Sequence, residues 1–135
     1  ELLSVTASAN ELTGFESLAN AFQADDPFVR HAASVAAAAP AFRHRMVPLL
    51  SSPEADLRLG ALLTLRRAGV DPDASLLKPL LADADLRIRK MALIWVGESG
   101  RTALRDDLGL VLSSGSVTAE LLETYLETLR HLEPA

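Results

Sequence analysis

One short pattern occurs three times in this chain, each time centred on an arginine. The arginines are Arg30, Arg58 and Arg89, so successive copies lie 28 and 31 residues apart. In every copy an acidic residue stands four positions before the arginine, an apolar residue directly before it and an alanine three positions after it. The acidic residues are Asp26, Glu54 and Asp85, and the alanines are Ala33, Ala61 and Ala92. A period near thirty residues with helical spacing inside it predicts stacked helical hairpins.

The residues around each arginine predict two helices in every copy. Apolar residues twelve, nine and eight positions before the arginine lie on one face of a first helix, because spacings of three and four return to the same side. Apolar residues one before, three after and seven after the arginine form the buried seam of a second helix. Polar segments at 25–27, 51–54 and 83–85 supply the turn and N-cap residues between them. Neither helix buries its apolar face alone, so each hairpin needs its neighbours.

The acidic–x–x–apolar–Arg–x–x–Ala pattern after a Pro-Leu-Leu helix resembles the HEAT repeat. It is similar in particular to the short bacterial form seen also in phycobilin-lyase-type HEAT-like proteins. The clearest copies are residues 51–65 and 80–97, and the resemblance covers roughly residues 15 to 112. It implies an all-α fold, an α-α superhelix (HEAT-like solenoid) of about four hairpins in one domain, 1–135. The expected repeats are approximately 15–40, 41–69, 73–98 and 101–132. The resemblance also implies a ladder in which each acidic residue pairs with an arginine.

The last quarter of the chain departs from the repeated pattern. Glu120 stands where a spacing of 31 would place another arginine, so this repeat is either a terminal cap or a junction to another domain. Residues 95–134 resemble a segment of the large HEAT-containing membrane-associated dehydrogenases of planctomycete-type bacteria. That resemblance implies a spacer between a dehydrogenase domain and a c-type haem domain in an exported protein. It transfers no catalytic or haem-binding residue to this chain.

Both ends lead us to expect a piece of a longer protein, since Glu1 is not an initiator Met and the segment to Gly14 lacks a clear period. A free-standing chain would be cytoplasmic. A chain within a dehydrogenase–cytochrome parent would be exported or periplasmic.

The repeated arginines allow two interpretations. In the functional one they form a ladder of cations for an acidic ligand; in the structural one each binds the acidic turn of its own or the next repeat. The fixed offset of the acidic residue favours the structural interpretation.

The alanines allow close helix packing, which a larger side chain would prevent. If the second helices form a concave surface, exposed residues on them would contact a partner. The candidates for that surface are Arg58, Thr64, Arg87 and Lys90.

Composition and charge narrow the function further. The net charge is −5, although twelve of the thirteen basic residues lie between positions 30 and 105. These basic residues fall on different helical faces, and an acidic chain lacks the counterion release that drives nucleic-acid binding. Without cysteine, disulfides, thiolate metal sites and haem attachment within the chain are excluded. No apolar run reaches the length of about 18 residues that a membrane span needs. The expected partner is therefore another protein or a neighbouring domain, with no cofactor.

Catalytic motifs do not stand out. None of His31, His44 and His131 is followed three or four positions later by a histidine, glutamate or cysteine that would form a metal site with it. Trp95 is the residue that could favour an enzyme, because HEAT-like DNA glycosylases use aromatic and acidic residues in a basic cleft. The leading hypothesis is a non-enzymatic interaction, scaffold or spacer module. The alternative is a HEAT-like enzyme or lyase subunit acting on nucleic acid or a bilin chromophore. It requires Trp95, Tyr125 and an aspartate around one cavity, and burial of Trp95 would argue against it.

Overall fold

The computed structural model describes residues 16–70 and 73–133, and every regular element in these two ranges is a helix. The prediction of an all-α fold is therefore confirmed for the described residues. The chain divides into two compact units, Glu1–Val70 and Asp71–Ala135. The segment up to Gly14 and the start of the first predicted repeat lie outside the described residues.

In the first unit, two long helices pack together and short helices connect them. Its helices are α1 (residues 16–22), α2 (Pro27–Ala37), α3 (Pro40–Arg43), α4 (Met46–Leu49) and α5 (Ala55–Ala68). Helix α5 packs against both α2 and α4. The first helix predicted for the second repeat is therefore two short helices, with a turn at residues 44–45. Pro48 lies in the first turn of α4, where its missing N–H leaves no helical hydrogen bond unmade.

The second unit also consists of longer helices and short ones. Its helices are α6 (Ala74–Leu81), α7 (Leu86–Glu98), the 3₁₀ helix η1 (Thr102–Asp107), α8 (Leu110–Ser113) and α9 (Ala119–His131). Helix α6 packs against α7 and η1, whereas α7 packs against α9. The first helix predicted for the last repeat is thus a 3₁₀ helix followed by one short α-helix.

The seam predicted from the alanine positions lies inside the two cores. Ala33 and Ala61 are buried in the first unit and Ala92 in the second. Around them lie the larger buried side chains of each core, among them Phe22, Met46, Leu62, Leu65, Leu77, Leu81, Ile88 and Leu93. A methyl group at these positions lets the second helix approach its neighbours closely. A larger side chain would overpack the seam at a cost of about 1–3 kcal/mol.

Polar residues mark the starts of the second helices. The carboxylate of Asp26 accepts from the N–H of Phe28 at 2.9 Å, and that of Asp85 accepts from the N–H of Arg87 at 2.8 Å. Each bond satisfies an N–H in the first helical turn, which has no partner within the helix. At the N-cap of α5, the hydroxyl of Ser52 instead accepts from the N–H of Glu54 at 3.2 Å. The turns at 25–27, 51–54 and 83–85 therefore fix where α2, α5 and α7 begin.

Candidate functional site

The repeated arginine is the fourth residue of each second helix in the first three repeats. In α2 the Nη1 of Arg30 donates to the carbonyl oxygens of Ala24 and Asp25, at 2.6 and 2.9 Å. In α5 the Nη1 of Arg58 donates to the carbonyl oxygen of Ser52 at 2.8 Å. A hydrophobic side chain at this helical position often packs back over the residue before the N-cap. Here a guanidinium reaches back in the same direction and binds the carbonyls of the turn.

Arg89 makes the same type of bond with a different turn. Its side chain is fully buried, and its Nη1 and Nη2 donate to the carbonyl oxygens of Val111 and Ser116, both at 2.8 Å. Those residues flank the turn between α8 and α9. Gly115 in that turn has φ +67°, and a Cβ on it would lie 3.0 Å from Nη2 of Arg89. A buried guanidinium bonded to backbone carbonyls holds a turn in place and is not offered to a ligand.

The acidic residue of the third repeat has a partner other than the repeated arginine. Both carboxylate oxygens of Asp85 accept from Arg87, at 3.1 Å from Nε and 2.8 Å from Nη2. These hydrogen bonds from the Arg87 side chain are the main reason that the pKa of Asp85 lies below its ordinary value; partial burial opposes them. Asp85 therefore binds Arg87, and Arg89 binds backbone carbonyls before α9. The resemblance had implied that Asp85 and Arg89 pair with each other.

The predicted interaction surface is only partly exposed. Thr64 is fully buried, and its hydroxyl donates to the carbonyl oxygen of Gly60 at 2.7 Å, so the prediction that it is exposed is wrong. The reason is its spacing: Thr64 lies three residues after the seam residue Ala61 and shares its side of α5. Arg58 is half-buried and bonded to its turn. On α7, Arg87 is exposed, and the half-buried Lys90 forms an ion pair with Glu120 of α9.

The last second helix begins two residues later than a fixed spacing of 31 implies. The hydroxyl of Thr118 caps α9 by accepting from the N–H of Leu121 at 3.1 Å, and the helix starts at Ala119. The fourth residue of α9 is therefore Leu122 and not Glu120. Val117 and Leu122 stand at the two positions of a hydrophobic staple, and they are 49% and 42% exposed. In this repeat a leucine occupies the place that an arginine takes in the other three.

Large exposed apolar side chains are concentrated on two of the second helices. Among the residues that the structure describes, they are Phe28, Val29 and Val35 on α2, Val117 directly before α9, and Leu122 and Leu126 on α9. Phe28 is 82% exposed and Leu126 is 51% exposed. The sequence placed Val29 in the buried seam, and its 40% exposure makes that prediction wrong. The other five positions were not singled out, because the same helical spacing also describes buried leucines. Counting from the N-cap Thr118 would have placed Leu122 at the arginine position.

Of the two aromatic residues that the enzyme hypothesis places at a cavity, one is buried. Trp95 is 6% exposed and belongs to the core of the second unit, while Tyr125 is half-buried on α9. A shallow groove between α7 and α9 is lined by Ile94, Gly97, Glu98, Thr124, Glu127, Thr128, Arg130 and His131. The described parts of the chain contain no group of three or more histidine or carboxylate side chains that could hold a metal ion.

Comparisons with known proteins give no family assignment. No protein-family model, no curated protein and no solved structure matches this chain. Within residues 16–70 and 73–133, none of the helices has the length and apolar character needed to cross a membrane.

Proposed function

We propose that this chain is a non-enzymatic module of HEAT-type helical hairpins that binds another protein or spaces and docks neighbouring domains. The proposal includes an α-α superhelix of about four hairpins. Two packing relations support that architecture: α2 lies against α5 in the first unit, and α7 lies against α9 in the second. In a solenoid, the second helices of successive repeats stack in this way and present an extended surface.

The observation that carries the functional proposal is the location of the exposed apolar side chains. In the described residues they lie on α2, on α9 or directly before α9, and none lies on α5 or α7. Isolated exposed apolar residues are normal, but a concentration on particular helix faces marks interaction sites. The repeated arginines, by contrast, are bonded to backbone carbonyls of turns.

The alternative of an enzyme or lyase subunit has no observation in its favour. It depends on Trp95 as an aromatic side chain in a cleft, and Trp95 is buried in the core of the second unit. We therefore advance the interaction module alone.

A binding experiment with single variants tests the proposal. The wild-type chain and the variants Phe28→Ser and Leu126→Ser would be immobilised separately and exposed to a lysate of the cells that produce the protein. Any retained protein would then be purified and titrated against each variant. Binding that one of the two variants weakens supports an interaction role through that helix. Retention of no protein would refute the binding of a separate partner and leave only the interdomain spacer. Measurable turnover of a small molecule by the wild-type chain would refute the proposal as a whole.

A further inference from the structure

Helix α2 has apolar residues on both of its sides. Ala33 and Ala37 are buried in the core of the first unit. The opposite side is what we call the outer face of α2, and spacings of three and four residues place four exposed side chains on it: Phe28, Ala32, Val35 and Ala39. The helix ends at Ala37, but the C-cap Ala38 keeps a helical backbone (φ −71°, ψ −13°), so Ala39 stays on this face. Phe28 and Val35 are 82% and 49% exposed. A helix that is apolar on both sides is normally covered on both.

Large and small side chains alternate along the outer face. From the N-terminal end the order is Phe28, Ala32, Val35, Ala39. When a second α2 lies antiparallel with its Ala39 opposite Phe28, the same register places its Val35 opposite Ala32. Each large side chain then faces an alanine, and a two-fold axis repeats both contacts. A parallel pair would instead place phenylalanine against phenylalanine and alanine against alanine. The order of sizes therefore fits an antiparallel second copy of the same helix.

The charges at the two ends of α2 also have opposite sign. Asp25 and Asp26 directly precede the helix, whereas residues 38–50 contain two arginines and no carboxylate. Arg30 lies on the inner side of α2, where its Nη1 binds the carbonyl oxygens of the preceding turn. A further cation, Arg67 of α5, contacts the ring of His31 near the middle of α2, away from both charged ends. An antiparallel second copy brings the acidic end of one α2 to the basic end of the other, which is electrostatically favourable.

We infer that the outer face of α2 binds the same face of a second copy of this chain, antiparallel and around a two-fold axis. Phe28 of each copy packs on Ala39 of the other, and Val35 packs on Ala32. One helix of 11 residues from each copy forms the contact, which is smaller than the about 800 Å² per partner of a standard interface. The dimer is therefore weak, with a dissociation constant of roughly 10 μM to 1 mM. This inference rests on the proposed interaction function and specifies the partner of one surface.

Sedimentation equilibrium of the full 135-residue chain, at concentrations up to about 1 mM, tests the inference. The average mass should rise with concentration from that of one chain towards that of two and no further, because a two-fold interface is closed. Phe28→Ala removes the largest contact twice and should raise the dissociation constant at least about tenfold. Leu126→Ala is the matched control: it truncates an exposed side chain of α9 and should leave the dissociation constant unchanged.

A second variant tests the order of sizes. Ala32→Leu makes the outer face more apolar, yet it places leucine against Val35 of the other copy and should weaken the dimer at least about tenfold. Ala32→Leu/Val35→Ala restores one large and one small side chain at this contact, so it should recover most of the lost affinity. Ala119→Leu, the same change at an exposed alanine of α9, is the control. Thermal unfolding verifies that each variant is folded.

A third variant tests the arrangement of the charges. Arg43 ends α3, the helix that follows α2. Arg43→Glu should raise the dissociation constant severalfold at low salt and less at high salt, because exposed charges are screened. Arg130→Glu, at an exposed arginine of α9, is the control. An affinity that Arg43→Glu leaves unchanged at low salt would contradict the antiparallel arrangement.

Three further results would overturn the inference. The chain could stay monomeric up to about 1 mM, Ala32→Leu could strengthen the association as on an unspecific apolar surface, or Leu126→Ala could abolish the dimer while Phe28→Ala does not. The last result would assign the second copy to α9. None of them refutes the general interaction function, because a different protein whose binding is weakened by Phe28→Ser or Leu126→Ser would still support it.

Discussion

Replacing Gly60 by alanine tests how closely the helices of the first unit are packed. A Cβ on Gly60 would lie 2.5, 2.6 and 2.9 Å from three ring carbons of Phe22, which is 2% exposed. Carbon atoms pack at about 3.5–4.0 Å, so the ring would have to withdraw by about 1 Å within a filled core. Overpacking costs about 1–3 kcal/mol, and overlap with three ring atoms indicates the upper half of that range. Because alanine favours a helix by about 1 kcal/mol over glycine, Gly60→Ala should lower the unfolding free energy by about 1–2 kcal/mol.

Urea denaturation followed by circular dichroism at 222 nm measures this loss. Gly109→Ala is the control, because a Cβ there meets no atom within 4 Å and its φ is −59°; its effect should stay within about 0.5 kcal/mol. Phe22→Ala removes the three overlapping ring atoms, so the double variant Gly60→Ala/Phe22→Ala should be more stable than the two single losses predict, by at least about 0.5 kcal/mol. The packing argument is refuted if Gly60→Ala is as stable as the wild type, or if the two losses simply add.

Three further predictions concern Arg89, Asp85 and the turn before α9. Arg89→Met leaves one buried and one half-buried carbonyl without a donor and should lower the unfolding free energy by about 2–4 kcal/mol. The control Arg87→Met, at the surface, should change it by less than about 1 kcal/mol. Equal losses of unfolding free energy in urea denaturation would contradict the structural role of Arg89. Since the pKa of Asp85 is lowered in the folded state, its charge stabilises the fold above the ordinary value of 3.8. The advantage of wild type over Asp85→Asn in unfolding free energy should therefore be present at pH 7 and disappear as the pH falls below about 3.8; an advantage that persists at pH 2 would refute this origin. Gly115→Ala and Gly100→Ala both place alanine at a positive φ, but only the first also brings a Cβ within 3.0 Å of Arg89, so it should show the larger drop in melting temperature; equal drops would mean that the contact does not matter.

The sequence alone predicted the features that depend on neighbouring residues in the chain. An acidic N-cap residue followed by apolar residues at helical spacing placed the second helices of the first three repeats, which the structure shows as α2, α5 and α7. Capping and helical periodicity act within one or two turns, so they can be read without knowing the rest of the fold. The alanines of the seam belong to the same local pattern.

Features that depend on contacts between helices were predicted less well. The spacing of 31 residues pointed to Glu120, but α9 begins at Ala119 and places Leu122 at the fourth position. Thr64 was expected at the surface and is buried against the seam. Of the four candidate surface residues only Arg87 is exposed, Arg58 and Lys90 are half-buried, and contact of this surface with a partner stays a prediction. The exposed leucines of α9 were not anticipated. The burial of a polar residue or a leucine on a helix cannot be predicted until it is known which neighbouring helices pack against that face.

The amino-acid sequence by itself determined that this chain forms paired helices joined by capped turns, because those choices are made by short-range hydrogen bonds and side-chain spacing. Only the tertiary structure decided which turn each arginine binds and which apolar residues stay exposed. Arg30 and Arg58 bind the turns before their own helices, whereas Arg89 binds the turn before α9. Leu121 and Leu122 are adjacent in sequence and equally apolar, yet one is buried and the other exposed. The difference arises because a residue is buried only where another helix packs against its side of α9.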